Sequence, residues 1–226
     1  MKLFFQYCSF GFSNCYVLGA EYVPHTPVKS KSKTMAAEEP LPGAAGQTDA
    51  IIVDPGSMGA ALLECIETNN FNLRAVLITH EHLGHVHGLR TLKRIYDVDV
   101  FAMNRLILDH KTTIVRDGDK ISIGPFTVEV ISIPGHSADS VVYLIDSLLF
   151  TGDVLTAGLV GRTDSAYGAA TQINKLRSRL LSLPGDYTVL PGHGPPSTLE
   201  AERRFNTGIT QDEQRKNRKP SFRLHI

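Results

Sequence analysis

The sequence predicts a mixed α/β fold made of two strand-rich halves with helices on the outside. Short apolar runs, closed by turns that usually contain glycine, alternate along the chain with segments of helical periodicity. Four of these runs end in residues that can bind a metal ion: the histidine-rich stretch 79–88, and the single residues His136, Asp153 and His193. Because strand ends are rigid supports, this pattern predicts a site at one edge of a sheet.

In the first half, apolar runs bounded by turn residues predict strands, and apolar residues at helical spacing predict the helices that cover them. Gly11 predicts the turn of the first hairpin, and Ser57 is expected to cap the first helix. The predicted elements, in order, are strands 3–8, 14–20, 50–53 and 74–78, helices 58–69 and 85–96, strand 98–102 and a helix over 104–110.

The second half begins with a strand-rich stretch. Residues 113–133 predict three strands, with turns at residues 117–118 and 124–125. Further elements follow: strands over 141–145, 148–149 and 187–190, and helices over 170–183 and 197–207.

The composition is that of one globular domain, which we place at residues 1–210. The chain has 226 residues and is 42% hydrophobic, enough for a sizeable core. Residues 24–49 are rich in Pro, Gly, Ala, Lys, Ser and Glu, which predicts a flexible hairpin insertion, with an active-site lid as the alternative. Residues 211–226 are expected to form a polar, basic C-terminal tail.

Charge and hydropathy exclude several classes of function. Lysine plus arginine and aspartate plus glutamate are equal at 23 each, which argues against nucleic-acid binding. No apolar run is long enough to span a bilayer, and no cleavable signal follows the first residues. We therefore expect a cytoplasmic protein without a membrane partner. The three cysteines lack metal-ligand spacing and are expected to be small buried side chains without disulfides: Cys8, Cys15 and Cys65.

The stretch 79–88 carries His80, His82, His85 and His87 where a strand gives way to a loop. Histidines gain little from packing against one another, so a core role does not explain them. A neutral imidazole nitrogen is the commonest metal ligand. The stretch therefore predicts a divalent metal site in preference to a histidine-rich surface loop.

Taken with His136, Asp153 and His193, this stretch resembles the metallo-β-lactamase superfamily. That family's pattern is His-x-His-x-Asp-His, followed by single His, Asp and His ligands. The glyoxalase II-like (hydroxyacylglutathione hydrolase-like) branch is resembled in particular, through residues 161–164 and 192–200. The first strands, at residues 14–18 and 52–56, also match. The resemblance implies a four-layer αββα sandwich.

The resemblance also implies the roles of the site residues. His80, His82 and His136 would hold one metal ion, and Asp153 would reach between two sites. His85 and His193 would contribute to the second site, with Asp153 and His85 acting in catalysis. Asp54 would support the metal loop without binding metal. The cofactor would be one or two divalent ions, zinc or alternatively iron or manganese.

One position departs from the family pattern, because Gly84 stands where the family has aspartate. The second site would lose a negative ligand, which leaves three outcomes open: one metal only, a second position completed by water, or recruitment of His87 as a compensating ligand. Arg162 and Tyr167 are candidates for substrate binding. For Arg162 we favour the alternative of a structural ion pair with Asp164.

The leading hypothesis is a metal-dependent hydrolase of a thioester such as an acylglutathione, or of a related ester, acting through a metal-bound hydroxide. Dedicated enzymes of that branch carry a further C-terminal helical domain with cationic glutathione contacts; only a short segment follows the last predicted helix here. The small-molecule substrate and the oligomeric state therefore stay open. One alternative is a mononuclear non-haem iron oxidoreductase similar to persulfide dioxygenases, using His80, His136 and Asp153. Another is a metal-binding protein whose catalysis is weakened by Gly84.

Overall fold

The computed structural model describes residues 1–21 and 46–210. Its elements up to residue 114 are β1 (Lys2–Cys8), β2 (Ser13–Gly19), β3 (Thr48–Val53), α1 (Ala60–Thr68), β4 (Phe71–Leu77), α2 (Leu83–Val86), α3 (Leu89–Ile95), β5 (Asp99–Ala102), β6 (Leu106–Ile107), β7 (His110–Lys111) and β8 (Thr113–Ile114). The second half contains β9 (Lys120–Ile123), β10 (Phe126–Ser132), β11 (Val141–Ile145), β12 (Leu148–Gly152), β13 (Leu155–Thr156), β14 (Leu159–Val160), α4 (Ala166–Lys175) with a π-helical turn (Leu176–Leu180), β15 (Thr188–Pro191), β16 (Ser197–Thr198) and α5 (Leu199–Phe205).

Two six-stranded sheets organise these elements. The first has the order β1-β2-β3-β4-β5-β8, and the second has the order β16-β15-β12-β11-β10-β9. In each sheet, central strands run parallel: β3 with β4 and β5, and β12 with β15. Parallel neighbours end at the same edge, so residues that follow these strands are brought close together. Within the described ranges, no helix is long and apolar enough to cross a membrane.

Three apolar layers hold the sheets and helices together, because successive residues of a strand point to opposite faces. The middle layer lies between the sheets and includes Tyr16, Leu77, Tyr143 and Phe150. One outer layer packs the first sheet against α1 and α3, and the other packs the second sheet against α4 and α5. The resulting helix–sheet–sheet–helix order confirms the predicted four-layer αββα sandwich.

The predicted helix over 85–96 is wrong in its continuity, since it is divided into α2 and α3. The Gly88 amide donates to the Pro55 carbonyl at 2.8 Å, and the Gly84 carbonyl accepts from the Ser13 hydroxyl. In a continuous helix the Gly88 amide would donate to the Gly84 carbonyl. Both groups bond to other segments instead, which interrupts the helix. Ser57 does not cap α1, which begins at Ala60 with Gly59 in the cap position.

The helix predicted over 104–110 is also wrong. That stretch forms the two-stranded ribbon β6–β7, because Leu108 and Asp109 have φ values of 45° and 69°, outside the helical region. The last two predicted helices, 170–183 and 197–207, have shifted boundaries. The first of them begins earlier, as α4 at Ala166, where the Ser165 hydroxyl accepts from the Gly168 amide.

Of the predicted insertion, residues 24–45 lie outside the described residues and residues 48–49 belong to β3. The predicted C-terminal tail, residues 211–226, also lies outside the described residues.

A buried carboxylate ties α5 to the loop that follows Asp153. Glu202 is 2% exposed and accepts hydrogen bonds from the Gly158 amide, the Ser197 hydroxyl and the Asn206 amide group. A buried donor without a partner costs free energy, so the three donors depend on this one side chain. The contact fixes the helix on the outer face of the second sheet.

We expect Glu202→Ala to lower the free energy of unfolding by about 2–4 kcal/mol, because it leaves buried donors without an acceptor. Chemical denaturation measures the change. Glu200→Ala, in the same helix but with a half-exposed side chain paired with Arg203 and Arg204, is the matched control and should cost less than about 1 kcal/mol. Equal losses in the two variants would contradict the assignment.

Candidate metal centre

Four strand ends converge on the site. The loop after β4 carries His80, His82 and His85, and the loops after β10, β12 and β15 carry His136, Asp153 and His193. Strands β10 and β12 both pair antiparallel with β11, and β15 pairs parallel with β12, so their ends share one edge. The structure thus brings the six predicted ligands together.

The first group comprises His80, His82, His136 and Asp153, whose candidate ligand atoms all lie within 4.8 Å of one another. The His82 Nδ1 atom lies 3.0 Å from His80 Nε2 and 2.9 Å from His136 Nε2. The carboxylate oxygen Oδ2 of Asp153 lies 3.5 Å from His136 Nε2 and 3.8 Å from His80 Nε2. A tetrahedral ion at about 2.0–2.1 Å holds its donors about 3.3–3.4 Å apart, so this group fits a metal ion.

The second group comprises His85, Asp153 and His193. The Nε2 atom of His85 lies 3.4 Å from Asp153 Oδ1, and that of His193 lies 3.4 Å from Asp153 Oδ2. Both His85 Nε2 and Asp153 Oδ1 are buried without a hydrogen-bond partner. Two orphaned buried polar atoms that face one another are what a cation would satisfy.

The electrostatics distinguish the two groups. Burial lowers the pKa of His80 to about 3 and also lowers the pKa of His82, so both are neutral ligands. Burial opposes the charge on His85, but the neighbouring carboxylates of Asp153 and Asp54 outweigh it and raise the pKa of His85 to about 10. Despite its burial, contacts with His193 and His85 hold the pKa of Asp153 well below its usual range. The second group therefore favours a positive charge beside Asp153.

The imidazoles are oriented through their other nitrogen. His136 Nδ1 contacts the Arg162 carbonyl at 2.8 Å, and His193 Nδ1 contacts the Phe12 carbonyl at 2.9 Å. A carbonyl only accepts, so in both rings Nδ1 carries the proton and Nε2 presents its lone pair to the centre. His82 is the exception, because its Nδ1 faces the group.

Asp54 and Thr79 support the metal loop from behind. Asp54 accepts from the Thr79 amide at 2.8 Å and from the Thr79 hydroxyl at 2.6 Å, and its Oδ2 lies 3.0 Å from His85 Nδ1. Since the Thr79 hydroxyl donates to Asp54, its oxygen is left to accept from His80 Nδ1, 3.1 Å away. The sequence placed Asp54 here, but Thr79 was missed although it directly precedes the first ligand.

Gln172 is a second residue that sequence reasoning missed. It is fully buried in α4 and donates from Nε2 to the Gly161 carbonyl at 3.0 Å and to the Val154 carbonyl at 3.3 Å. These carbonyls lie at the two ends of the loop that leaves Asp153 and reaches the His136 partner, Arg162. Gln172 thus acts on both ligands through the backbone. The sequence carries no signal for this role, because the burial of Gln172 is visible only in the folded structure.

Tight packing around Asp153 requires glycine at position 192. A Cβ atom there would lie 2.4 Å from Asp153 Oδ1 and 2.5 Å from His85 Cε1. The side-chain amide of Asn14 holds this loop by donating to the carbonyls of Pro191 and Gly194 at 2.9 and 2.7 Å. Glycine at position 192 thus lets the loop after β15 approach Asp153 and His85 closely.

Other predicted site residues lie outside both ligand groups. His87 is exposed and stacks on Phe10 with ring centroids 4.0 Å apart, so it is not a member of either ligand group. Arg162 is exposed and contributes its carbonyl; the predicted ion pair with Asp164 is not formed. Tyr167 is exposed in the first turn of α4, whereas the sequence placed it in a loop.

Comparisons with known proteins identify the family of this chain. The Metallo-beta-lactamase superfamily profile matches residues 44–193. Hydroxyacylglutathione hydrolase GloC of Haemophilus influenzae is 30% identical over 184 residues, covering 71% of this chain and 87% of its own. The probable metallo-hydrolase YqgX of Bacillus subtilis is 31% identical over 182 residues, covering 69% and 85%. The crystal structure of BLEG-1 B3 metallo-beta-lactamase superimposes with a TM-score of 0.71 at 25% identity, over 92% of this chain and 100% of that one. The chain therefore belongs to the metallo-β-lactamase superfamily.

Proposed function

We propose that this protein is a metal-dependent hydrolase that cleaves a thioester or a related ester. The observation that carries the proposal is the pair of ligand groups joined by one carboxylate, Asp153. Members of the superfamily bind one or two metal ions. The relative from Haemophilus influenzae, which is named a hydroxyacylglutathione hydrolase, supports a thioester as the substrate.

The donor set assigns each residue a part. His80, His82, His136 and Asp153 would hold one ion, and His85 and His193 with Asp153 would hold a second. A bound divalent ion lowers the pKa of water from about 15.7 to near 7 and so supplies a nucleophile at neutral pH. Imidazole and carboxylate ligands suit zinc, iron and manganese, so the ligands alone do not select the metal.

The protein's own groups favour a good leaving group. His85 is fixed by Asp54 on its outer side, which holds its inner nitrogen towards Asp153. A free thiol has a pKa of about 8.5, so a thiolate departs with little need of protonation. Neither ligand group reserves a side chain for donating a proton to a leaving amine. This arrangement suits thioester cleavage better than amide cleavage.

A second candidate function follows from Gly84. The second group has three members where the first has four, so the first group could act alone. Two histidines and one carboxylate are the ligands of many non-haem iron oxygenases, and His80, His136 and Asp153 supply them. About one iron per chain, with oxygen consumed on a persulfide, would identify this oxidoreductase. Two ions per chain with thioester hydrolysis would exclude it.

The hydrolase proposal predicts that Asp153→Asn reduces thioester hydrolysis to the uncatalysed rate and lowers metal content, because both groups lose their shared carboxylate. Release of free thiol measures activity, and elemental analysis of protein purified without added metal measures occupancy. Asp146→Asn, in the exposed turn between β11 and β12, is the control, and asparagine tolerates its φ of 52°. Full activity in Asp153→Asn, or none in the native protein, would exclude the proposal.

Gly84→Asp should raise the affinity for a second metal equivalent, because it restores a negative ligand beside His85. A Cβ atom at position 84 would lie 3.4 Å from Gly11 Cα, which is ordinary contact, so the substitution fits. Gly84→Ala adds the same atom without a ligand and should leave the stoichiometry unchanged. Titration of metal-free protein compares the three. Gain of hydrolysis that the native chain lacks would show that Gly84 marks weakened catalysis.

Gln172→Leu should lower metal affinity about 10- to 100-fold, because it releases the loop that positions Asp153 and His136. Competition with a chromophoric chelator gives the dissociation constant. Asn174→Leu, exposed on the same helix, is the matched control. Denaturation of the metal-free variants separates loss of affinity from loss of stability. An unchanged constant in folded Gln172→Leu would refute the positioning role.

A further inference from the structure

The tip of the β1–β2 hairpin forms an apolar wall at the second ligand group. Phe10 stacks on His87, and the carbonyl of Phe12 holds the ring of His193. Both phenylalanine side chains remain exposed, Phe12 by 68%, and the exposed ring of Tyr7 lies 6.4 Å from that of Phe12. Neighbouring exposed aromatic residues beside a reactive centre indicate a surface for an apolar ligand group.

The position of this wall is fixed by the backbone. A Cβ atom on Gly11 would come within 2.5 Å of Gly84 Cα, so the hairpin tip lies directly on the metal loop. Phe12 has a φ of 55°, a conformation that is costly for a bulky side chain. Such strain persists where surrounding contacts enforce it and is frequent at ligand sites. The contact between Gly11 and Gly84 therefore holds the hairpin tip in place against the metal loop.

The side of the first ligand group is acidic. The Glu81 amide donates to Asp139 Oδ2 at 2.9 Å, and Asn104 Nδ2 bridges the two carboxylates at 2.6 and 3.2 Å. Glu81 stands between His80 and His82 in the sequence. On the other flank, the exposed Arg162 is accompanied by the exposed Asp164. Two neighbouring carboxylates, Glu81 and Asp139, therefore adjoin the first ligand group.

We propose that the site takes thioesters or esters with an apolar acyl group and a leaving group without negative charge, in preference to glutathione thioesters. The inference rests on the proposed hydrolase function and specifies its substrate class. The acyl chain would lie on the Phe10–Phe12 wall. The two carboxylates of glutathione would meet Glu81 and Asp139, and like charges brought together lower the rate of association.

The test compares S-acetyl and S-hexanoyl thioesters of neutral N-acetylcysteamine and of glutathione. For the native protein with its metal, kcat/KM should be about tenfold higher for the hexanoyl than for the acetyl neutral thioester. Phe12→Asn removes the apolar ring, while asparagine tolerates positive φ, and should remove most of that chain-length preference. Phe205→Asn, 71% exposed on α5, is the matched control and should keep it.

The charge component is tested with the double variant Glu81→Gln/Asp139→Asn. Both amides can still accept the present hydrogen bonds, so the loop is kept. The ratio of glutathione to neutral thioester kcat/KM should rise about threefold, and the native ratio should rise with salt.

The outcomes separate the two proposals. Hydrolysis with a native preference for the glutathione thioester, or a Phe12→Asn variant with unchanged chain-length preference, would overturn the substrate class and leave the hydrolase standing. Hydrolysis of none of the four thioesters by metal-loaded protein would overturn both.

Discussion

A carboxylate surrounded by imidazoles is the constraint on which the rest of this structure depends. The oxygens of Asp153 lie between 3.4 and 3.8 Å from the nearest nitrogens of four histidine rings: His80, His85, His136 and His193. Polar groups withdrawn from water in this way are costly unless a cation or proton lies among them. The two sheets supply this arrangement because the ends of β4, β10, β12 and β15 meet at one edge. The sandwich thus holds the carboxylate and the imidazoles close together, although they would otherwise separate.

The orientation of the rings depends largely on the backbone. His136 and His193 are held by the carbonyls of Arg162 and Phe12, so the side chains at those positions are free to vary without loss of the contact. His85 differs, because its outer nitrogen faces the carboxylate of Asp54, which also fixes Thr79. A charged partner increases the basicity of a ligand more than a carbonyl does. The second group therefore gains from Asp54 part of the negative charge that it lacks at position 84.

Local patterns in the sequence were sufficient for two strand-rich halves with outer helices and for metal-binding residues at strand ends. The four layers and the full set of six ligand residues came from the resemblance to the metallo-β-lactamase superfamily. The sequence was insufficient where a role depends on chain segments that meet only after folding. Gln172 acts on carbonyls 11 and 18 residues away, and nothing in the pattern of α4 indicates those partners. The helix over 104–110 failed for a related reason, since the positive φ values of Leu108 and Asp109 are imposed by the β6–β7 ribbon. The stacking of His87 on Phe10 likewise joins two distant loops.

Packing does not require glycine at position 84, in contrast to two neighbouring glycines. Glycine is required at Gly11 and Gly56, where a Cβ atom would come within 2.5 Å of Gly84 Cα and 2.0 Å of Gly84 O respectively. At position 84 itself, a Cβ atom would meet its nearest neighbour at 3.4 Å, so the fold does not forbid a side chain there. The absence of the family's aspartate is therefore not explained by sterics. It removes a negative charge from the second group, whose remaining carboxylates are Asp153 among the ligands and Asp54 behind His85.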